Sequence, residues 1–350
     1  MMQIGINIIK LGQICSNMLL LVTRLGRRYN KAFLIAIITF GTTAAFADDQ
    51  TQLNLRWITL GTAGGPVPIA DRGQPANALA VGSAIYLIDC GDGAADALAK
   101  IGITLPKLKA VVLSHLHVDH TGGLAALIGL RYQNNLPGKL KIYGPPGTQT
   151  LVDGIVLSLR PYSDSAKDLP GADTASDVAS TLEVHEVGDK AEFILDSINV
   201  QARANTHYSF APNSEQAKKH VSLSYRFTSA DRTIVFTGDT GPSSAVEELA
   251  HGADLLVTEM VDVDRTVEQL KRTRPDTPAS VLSGMQKMLR LHHLTPEDVG
   301  QLAKRSAVKS LVITHLVAPR TTAAERMKYL NAINSVYSGP VMIANDLDEF

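Results

Sequence analysis

Apolar residues in this chain gather in short runs, and most runs close on a glycine, an aspartate or a histidine. Residues 53–60 read as a strand ending in Gly61-Thr62-Ala63-Gly64-Gly65, and residues 83–88 as another ending in Asp89-Cys90-Gly91-Asp92-Gly93. The run 110–113 is continuous and short, as a buried strand should be, and it leads straight into Ser114-His115-Leu116-His117-Val118-Asp119-His120. Later strands are predicted at 222–227, at 233–236 before Thr237-Gly238-Asp239-Thr240-Gly241, at 254–258, and at 310–313 before Thr314-His315-Leu316. Helical spacing marks 94–101 and the stretch from Leu124 to about Tyr132. A third helix, running to about Arg305, starts with a Thr295 cap, Pro296 at the first position and Glu297 and Asp298 in the first turn. Alternating strands and helices predict an α/β fold. Leu113-Ser114-His115-Leu116 and Ile313-Thr314-His315-Leu316 are the same strand ending twice, which suggests two similar halves facing one site.

Two stretches break the pattern. Between 144 and 192, Arg160, Lys167 and Lys190 stand against Asp153, Asp164, Asp168, Asp173, Asp177, Glu183, Glu186, Asp189 and Glu192, with Pro161, Pro170 and Gly171 as interruptions. This reads as an acidic, partly helical surface excursion. The stretch 261–291, basic around Lys271-Arg272-Thr273-Arg274, is the second candidate insertion and could cover a site.

The first fifty residues read as a leader. Arg24, Arg27, Arg28 and Lys31 precede an apolar run from Ala32 to Phe40, and Ala45-Phe46-Ala47 then supplies an A-x-A site. That order predicts a signal peptide, 1–47, cleaved after Ala47, with a single domain at 48–350. The run is shorter than the roughly 20 apolar residues of a membrane-spanning helix, so no stable span is expected after cleavage. The expected location is the periplasm or the exterior. Met18 is an alternative start, because 1–17 is long for such a leader. Only Cys90 lies outside the leader, Cys15 being within it, so no internal disulfide forms.

The chain has 350 residues, with 33 Lys+Arg against 34 Asp+Glu, and its aromatic content is 5%. Near-neutral charge and sparse aromatics offer neither the basic patch nor the stacking surface of a nucleic-acid binder. The histidine cluster is the chemical signal. In extended chain His115 and His117 point the same way, and Asp119 and His120 follow at the turn. Imidazole and carboxylate suit borderline divalent metals. Four ligands so close together would crowd one tetrahedral ion. Two ions relieve the crowding, one on His115 and His117, the other on Asp119 and His120. His207, Asp239 and His315, at other element ends, are candidates to complete them, and Asp239 could bridge.

His115-x-His117-x-Asp119-His120 resembles the signature of the metallo-β-lactamase superfamily. The resemblance spans roughly residues 53–320. It is nearest to the tRNA 3′-processing branch (ribonuclease Z) with its arylsulfatase and phosphodiesterase relatives. Leu60-Gly61-Thr62-Ala63-Gly64, Leu87-Ile88-Asp89-Cys90-Gly91-Asp92-Gly93, and Ser224-Tyr225-Arg226-Phe227 with Phe236-Thr237-Gly238-Asp239-Thr240 are similar to that branch. The resemblance implies a four-layer αββα sandwich. It implies one metal on His115, His117, His207 and Asp239, and another on Asp119, His120, Asp239 and His315. His293, in His293-Leu294-Thr295, would protonate the leaving oxygen, with Glu259 orienting it. This chain has Leu294 where the branch has Ser, and Thr258 where the branch has the His of its His-Glu segment.

The expected function is an exported hydrolase with two divalent ions. Zinc comes first, with Mn or Fe as alternatives. A hydroxide activated by the metals would attack a small phosphodiester or sulfate ester, with Asp119 both binding metal and orienting the nucleophile. The acidic 144–192 stretch stands where the ribonucleases carry a protruding basic arm, so a nucleic-acid partner is not expected. A homodimer is implied by the branch alone. Alternatives are a β-lactam or lactone ring hydrolase, a tRNA 3′-processing endonuclease, and a non-catalytic metal-binding protein.

Overall fold

Residues 55–165 and 177–350 are described by a computed structural model. The leader and its cleavage site lie outside the described residues. Six strands form the first sheet in sequence order: β1 (Arg56–Gly61), β2 (Ala76–Val81), β3 (Ala84–Cys90), β4 (Leu108–Val112), β5 (Leu140–Gly144) and β6 (Leu182–Glu186). β1 to β3 are antiparallel, and β3 to β6 run parallel. The second sheet has seven strands: β7 (Glu192–Leu195), β8 (Ile198–Ala204), β9 (Leu223–Thr228), β10 (Thr233–Phe236), β11 (Leu255–Val261), β12 (Leu311–Val317) and β13 (Val341–Ile343), in the order β13-β12-β11-β10-β9-β8-β7. Its β10 to β13 half is parallel, and β7 to β10 are antiparallel.

Alternation of side chains along each strand divides the apolar residues between two cores. On β3, Tyr86 and Ile88 join Trp57, Phe227 and Phe236 between the sheets. Ile85 and Leu87 face outward to Leu98, Leu124 and Leu127 of the helices Ala94–Lys100 and Leu124–Gln133. A strand covered on both faces reads as a continuous apolar run, which is why β3 and β4 were legible in the sequence. On the far side, Leu256 and Ile313 meet Val299, Leu302 and Ile333 of the helices Pro296–Arg305 and Ala323–Asn334. The layers are therefore helix, sheet, sheet, helix. Trp57 is fully buried in the inter-sheet core, where its Nε1 donates to Asn77 Oδ1 at 3.2 Å, so the ring adds apolar contact without stranding its N–H.

The acidic stretch 144–192 is only partly an excursion. Leu182–Glu186 is the edge strand β6, paired with β5. Val152 and Ile155 of the helix Thr148–Ser158, with Val178 and Leu182, are buried in the outer core. The apolar positions at these spacings anchor the segment to the sheet, while Asp153, Asp177, Glu186, Asp189 and Glu192 face water. The stretch 261–291 holds the helices Val263–Thr273 and Ala279–His292, whose buried residues are Val263 and Leu289. Among the described residues no helix is long and apolar enough to cross a membrane.

The ends of β3, β4, β10, β11 and β12, together with the connection after β8, meet at one edge of the sandwich. The predicted strand at 310–313 in fact runs on as β12 through His315, which adopts a left-handed φ of 40°. Opposite it, the β11–β12 register shifts between Thr258 and Met260. That irregularity sets Glu259 and His315 in one group with Asp239.

Candidate metal centre

All seven predicted ligands come together at that edge. His115 Nε2 and His207 Nε2 lie 3.0 and 3.2 Å from His117 Nδ1. Asp239 turns Oδ2 to this trio, 3.9 Å from His115 Nε2 and 4.0 Å from His207 Nε2. Its Oδ1 faces the other way, 3.3 Å from His120 Nε2 and 3.2 Å from His315 Nε2. Asp119 Oδ2 joins that second group, 3.5 Å from His120 Nε2 and 3.7 Å from His315 Nε2. One carboxylate thus has an oxygen toward each of two nitrogen clusters.

Hydrogen bonds behind the rings fix which nitrogen looks inward. Asp89, fully buried at the end of β3 with φ 57°, accepts from Ser114 N at 2.7 Å, Ser114 Oγ at 2.8 Å and His120 Nδ1 at 2.8 Å. The Ser114 hydroxyl spends its proton on Asp89, so it accepts from His115 Nδ1 at 3.1 Å. His207 Nδ1 donates to the His292 carbonyl at 3.1 Å. His115 and His207 therefore present Nε2 as a lone pair to the centre, and the bond to Asp89 aims Nε2 of His120 the same way, the outer-shell arrangement of metal-binding histidines. Asp89, Ser114 and the His292 carbonyl were not assigned from the sequence. The signal for Asp89 was an acid directly after an apolar strand. For a backbone carbonyl there is none. Replacing Asp89 by alanine should weaken metal binding by about 10–100-fold, as measured by competition with a chelating dye. Unchanged affinity would remove Asp89 from the centre.

The residues present fit divalent ions. Among the described residues, His120 Nε2, His315 Nε2 and Asp239 Oδ1 are buried without a hydrogen-bond partner, which costs free energy unless something pairs with them. Asp89, Asp119, Asp239 and Glu259 are all buried. Among the described residues their ion-pair partners are histidines alone. Burial holds the His115 ring well below the usual imidazole range and lowers His207 to about 4, so both rings are neutral, the form a metal requires of a histidine. At His120 burial also opposes charge, but Asp239 and Asp89 outweigh it and draw a proton onto the ring. A cation between the carboxylates would take over that proton's electrostatic role and free the nitrogen.

His293 and Glu259 sit beside this centre. His293 Nδ1 donates to Glu259 Oε2 at 2.7 Å, and Glu259 Oε1 accepts from Thr240 N at 2.6 Å. Of the two adjacent histidines, His293 turns inward and is buried, while half-buried His292 meets Ser209 Oγ at 2.6 Å. The backbone allows this because Gly241 lies under the end of the Ala279–His292 helix, where a Cβ would fall 1.9 Å from the Leu291 carbonyl. Gly65 is likewise required, since a Cβ there would lie 2.0 Å from Asp119 Oδ2.

A family model for the beta-lactamase superfamily domain matches residues 85–316, the span from β3 to the strand carrying His315. The chain belongs to the metallo-β-lactamase superfamily. Within it the chain sits on the ribonuclease Z side, and it is a metal-dependent hydrolase. It is 27% identical over 293 residues to a protein named Ribonuclease Z from Mycobacterium bovis BCG, covering 83% of this chain and 96% of that one. A Ribonuclease Z from Mycobacterium sp. strain KMS is 30% identical over 272 residues, 75% of this chain and 84% of that one. Among solved structures, the metallo-β-lactamase fold protein YhfI from Bacillus subtilis superposes with a TM-score of 0.59 at 19% identity, over 85% of this chain and 99% of that one. The short form of human tRNase Z gives 0.56 at 20% identity, over 84% and 98%. These two likenesses establish the αββα sandwich. Superfamily membership also makes divalent-metal binding part of the fold's chemistry.

Proposed function

We propose that this superfamily member hydrolyses phosphodiester bonds, with His293 as the acid that protonates the leaving oxygen. The carrying observation is the 2.7 Å contact of His293 with Glu259, next to an Asp239 that faces two nitrogen clusters. In this reading His115, His117, His207 and Asp239 hold one ion, and Asp119, His120, Asp239 and His315 the other. Two bound ions, zinc first among the candidates, would supply a water made nucleophilic near neutral pH and charge stabilisation on the phosphoryl oxygens. Asp119, whose Oδ2 lies by His120 and His315, would hold the second ion and orient the nucleophile. Glu259 holds the His293 ring and keeps it charged, so Nε2–H is available to the departing alkoxide. Such a proton matters most where the leaving group is poor, as a ribose oxygen is.

On substrate, the relatives named Ribonuclease Z favour RNA, and a tRNA 3′ end in particular, over the small sulfate or phosphate ester expected from the sequence. A small phosphodiester is the second reading. It is favoured by the 144–192 segment, whose described part is acidic and anchored to the sheet by Val152, Ile155 and Leu182. Export through the 1–47 leader belongs to that second reading, and cell fractionation tests it. The deciding assay offers the metal-loaded protein a precursor tRNA with a 3′ trailer, bis(p-nitrophenyl) phosphate and p-nitrophenyl sulfate, each with and without chelator. Chelator-sensitive cleavage of either phosphodiester is expected. Trailer removal selects the RNA reading, and cleavage of the nitrophenyl diester alone selects the small-ester reading. Turnover of the sulfate alone would overturn the proposal.

A further inference from the structure

The connection between β8 and β9 carries more than His207. The Tyr208 ring lies 5.0 Å from His207 and 5.4 Å from His117. Phe210 follows at 5.8 Å from Tyr208. After the short helix Glu215–Lys219, His220 returns to within 5.5 Å of Phe210 and 6.5 Å of Tyr208. A row of rings therefore climbs from two candidate ligands to solvent, in a chain whose aromatic content is low. Phe210 is 41% exposed and is the only aromatic among the exposed large apolar side chains of the described residues.

A single exposed apolar residue is ordinary, but this one has company. Val118, between His117 and Asp119, is 72% exposed. Val67, two residues beyond the Gly65 that lies on Asp119, is 69% exposed. Exposed apolar side chains thus stand within two residues of His117, Asp119 and Gly65. Lys218 of the same connection is already paired with Glu215 at 2.9 Å.

We propose that Tyr208, Phe210 and His220 form a subsite for a planar aromatic ring carried by the substrate. The inference rests on the phosphodiester reading and adds the chemistry of the group next to phosphorus. His207 has Tyr208 at 5.0 Å on one flank and His293 at 5.1 Å on another, and Tyr208 also meets His117 at 5.4 Å; the subsite is assigned to the group that phosphorus retains, with His293 serving the leaving group. Stacking on a short aromatic row accepts any flat π-face, and a Phe side chain loses little freedom when a ring settles on it. A nucleobase and a simple aryl group share that chemistry.

The test uses the metal-loaded full chain and three diesters with one leaving group, p-nitrophenol. The retained group is methyl, phenyl or thymidine 5′. The ring-bearing diesters should exceed the methyl diester in kcat/KM by about fivefold, the low end of base–aromatic stacking. Phe210→Ala should erase that advantage through KM while leaving the methyl diester unchanged, and Phe210→Tyr should keep it. Gain with thymidine alone identifies a nucleobase, and gain with phenyl alone an aryl group. Equal rates for all three in the parent, or an advantage that survives Phe210→Ala, would overturn the subsite. Calorimetric titration with phenylphosphonate and methylphosphonate separates this from failure of the phosphodiester reading. If no diester turns over yet phenylphosphonate is preferred and Phe210→Ala abolishes the preference, the subsite stands and the reaction assignment falls. No preference would remove the subsite whatever the reaction.

Discussion

Asp239→Ala should leave the protein without activity and with both metal sites weakened at once. No other predicted ligand has one oxygen toward His115 and His207 and the other toward His120 and His315, at 3.9, 4.0, 3.3 and 3.2 Å respectively. Removing it takes a negative ligand from each ion and leaves two buried imidazole nitrogens facing an empty space. Residues behind a ligand already cost about 10–100-fold in metal affinity when lost, so a shared ligand should cost at least about a hundredfold at each ion. Metal analysis after dialysis should fall from two ions per chain toward none, and turnover of every substrate should fall with it. Burial works against the Asp239 charge, yet facing His315 and His120 hold the carboxyl well below the usual carboxylate range. Acidification into the ordinary carboxylate range should therefore not mimic the variant by protonating Asp239. A variant that keeps one tightly held ion, or full activity, would end the bridged arrangement.

His293→Ala should spare metal binding and divide substrates by leaving group. Loss of a positioned acid costs about 10²–10⁴-fold, and that loss should fall on alkyl leaving groups. Release of p-nitrophenolate, which departs without a proton, should change little. The pH profile gives a second reading. Burial of His293 disfavours its charge, but Glu259 outweighs this and lifts the pKa to about 9. A raised pKa means the acid form is present below that value and lost above it, so the rate on alkyl esters should fall as pH rises through about 9. Glu259→Gln keeps a hydrogen-bond acceptor and removes the charge, so the falling limb should move to lower pH. A purely structural pair would lose rate equally on both leaving groups and leave the limb in place.

How much of this was legible follows from the range of each signal. The ligands from His115 to His120 stand within one short stretch, and β4 before them announced itself by a continuous apolar run. β2 did not, because Ala76-Asn77-Ala78 gives a strand that is buried but weakly apolar. β6 was hidden in an acidic segment, where Leu182, Val184 and His185 alternate with Glu183 and Glu186. His207, Asp239 and His315 could be proposed only as candidates at other element ends. His293 and Glu259 came from resemblance rather than spacing.

The sequence by itself determined the chemistry on offer and the kind of scaffold that carries it. Imidazoles and carboxylates stand at strand ends, and two-sided burial is written into the strands as unbroken apolar runs. Those properties depend on neighbours a few residues away, so local periodicity encodes them. Tertiary structure alone decided which atoms meet. That Asp239 shows one oxygen to each cluster, that Asp89 aims the His120 ring, and that the His292 carbonyl turns His207 inward all depend on pairings across 31 to 85 or more residues of chain. The broken register between β11 and β12, which brings Glu259 level with His315, likewise has no mark in either strand read alone. Convergence of this kind is set by sheet order and strand register, and these emerge only when both cores are packed together.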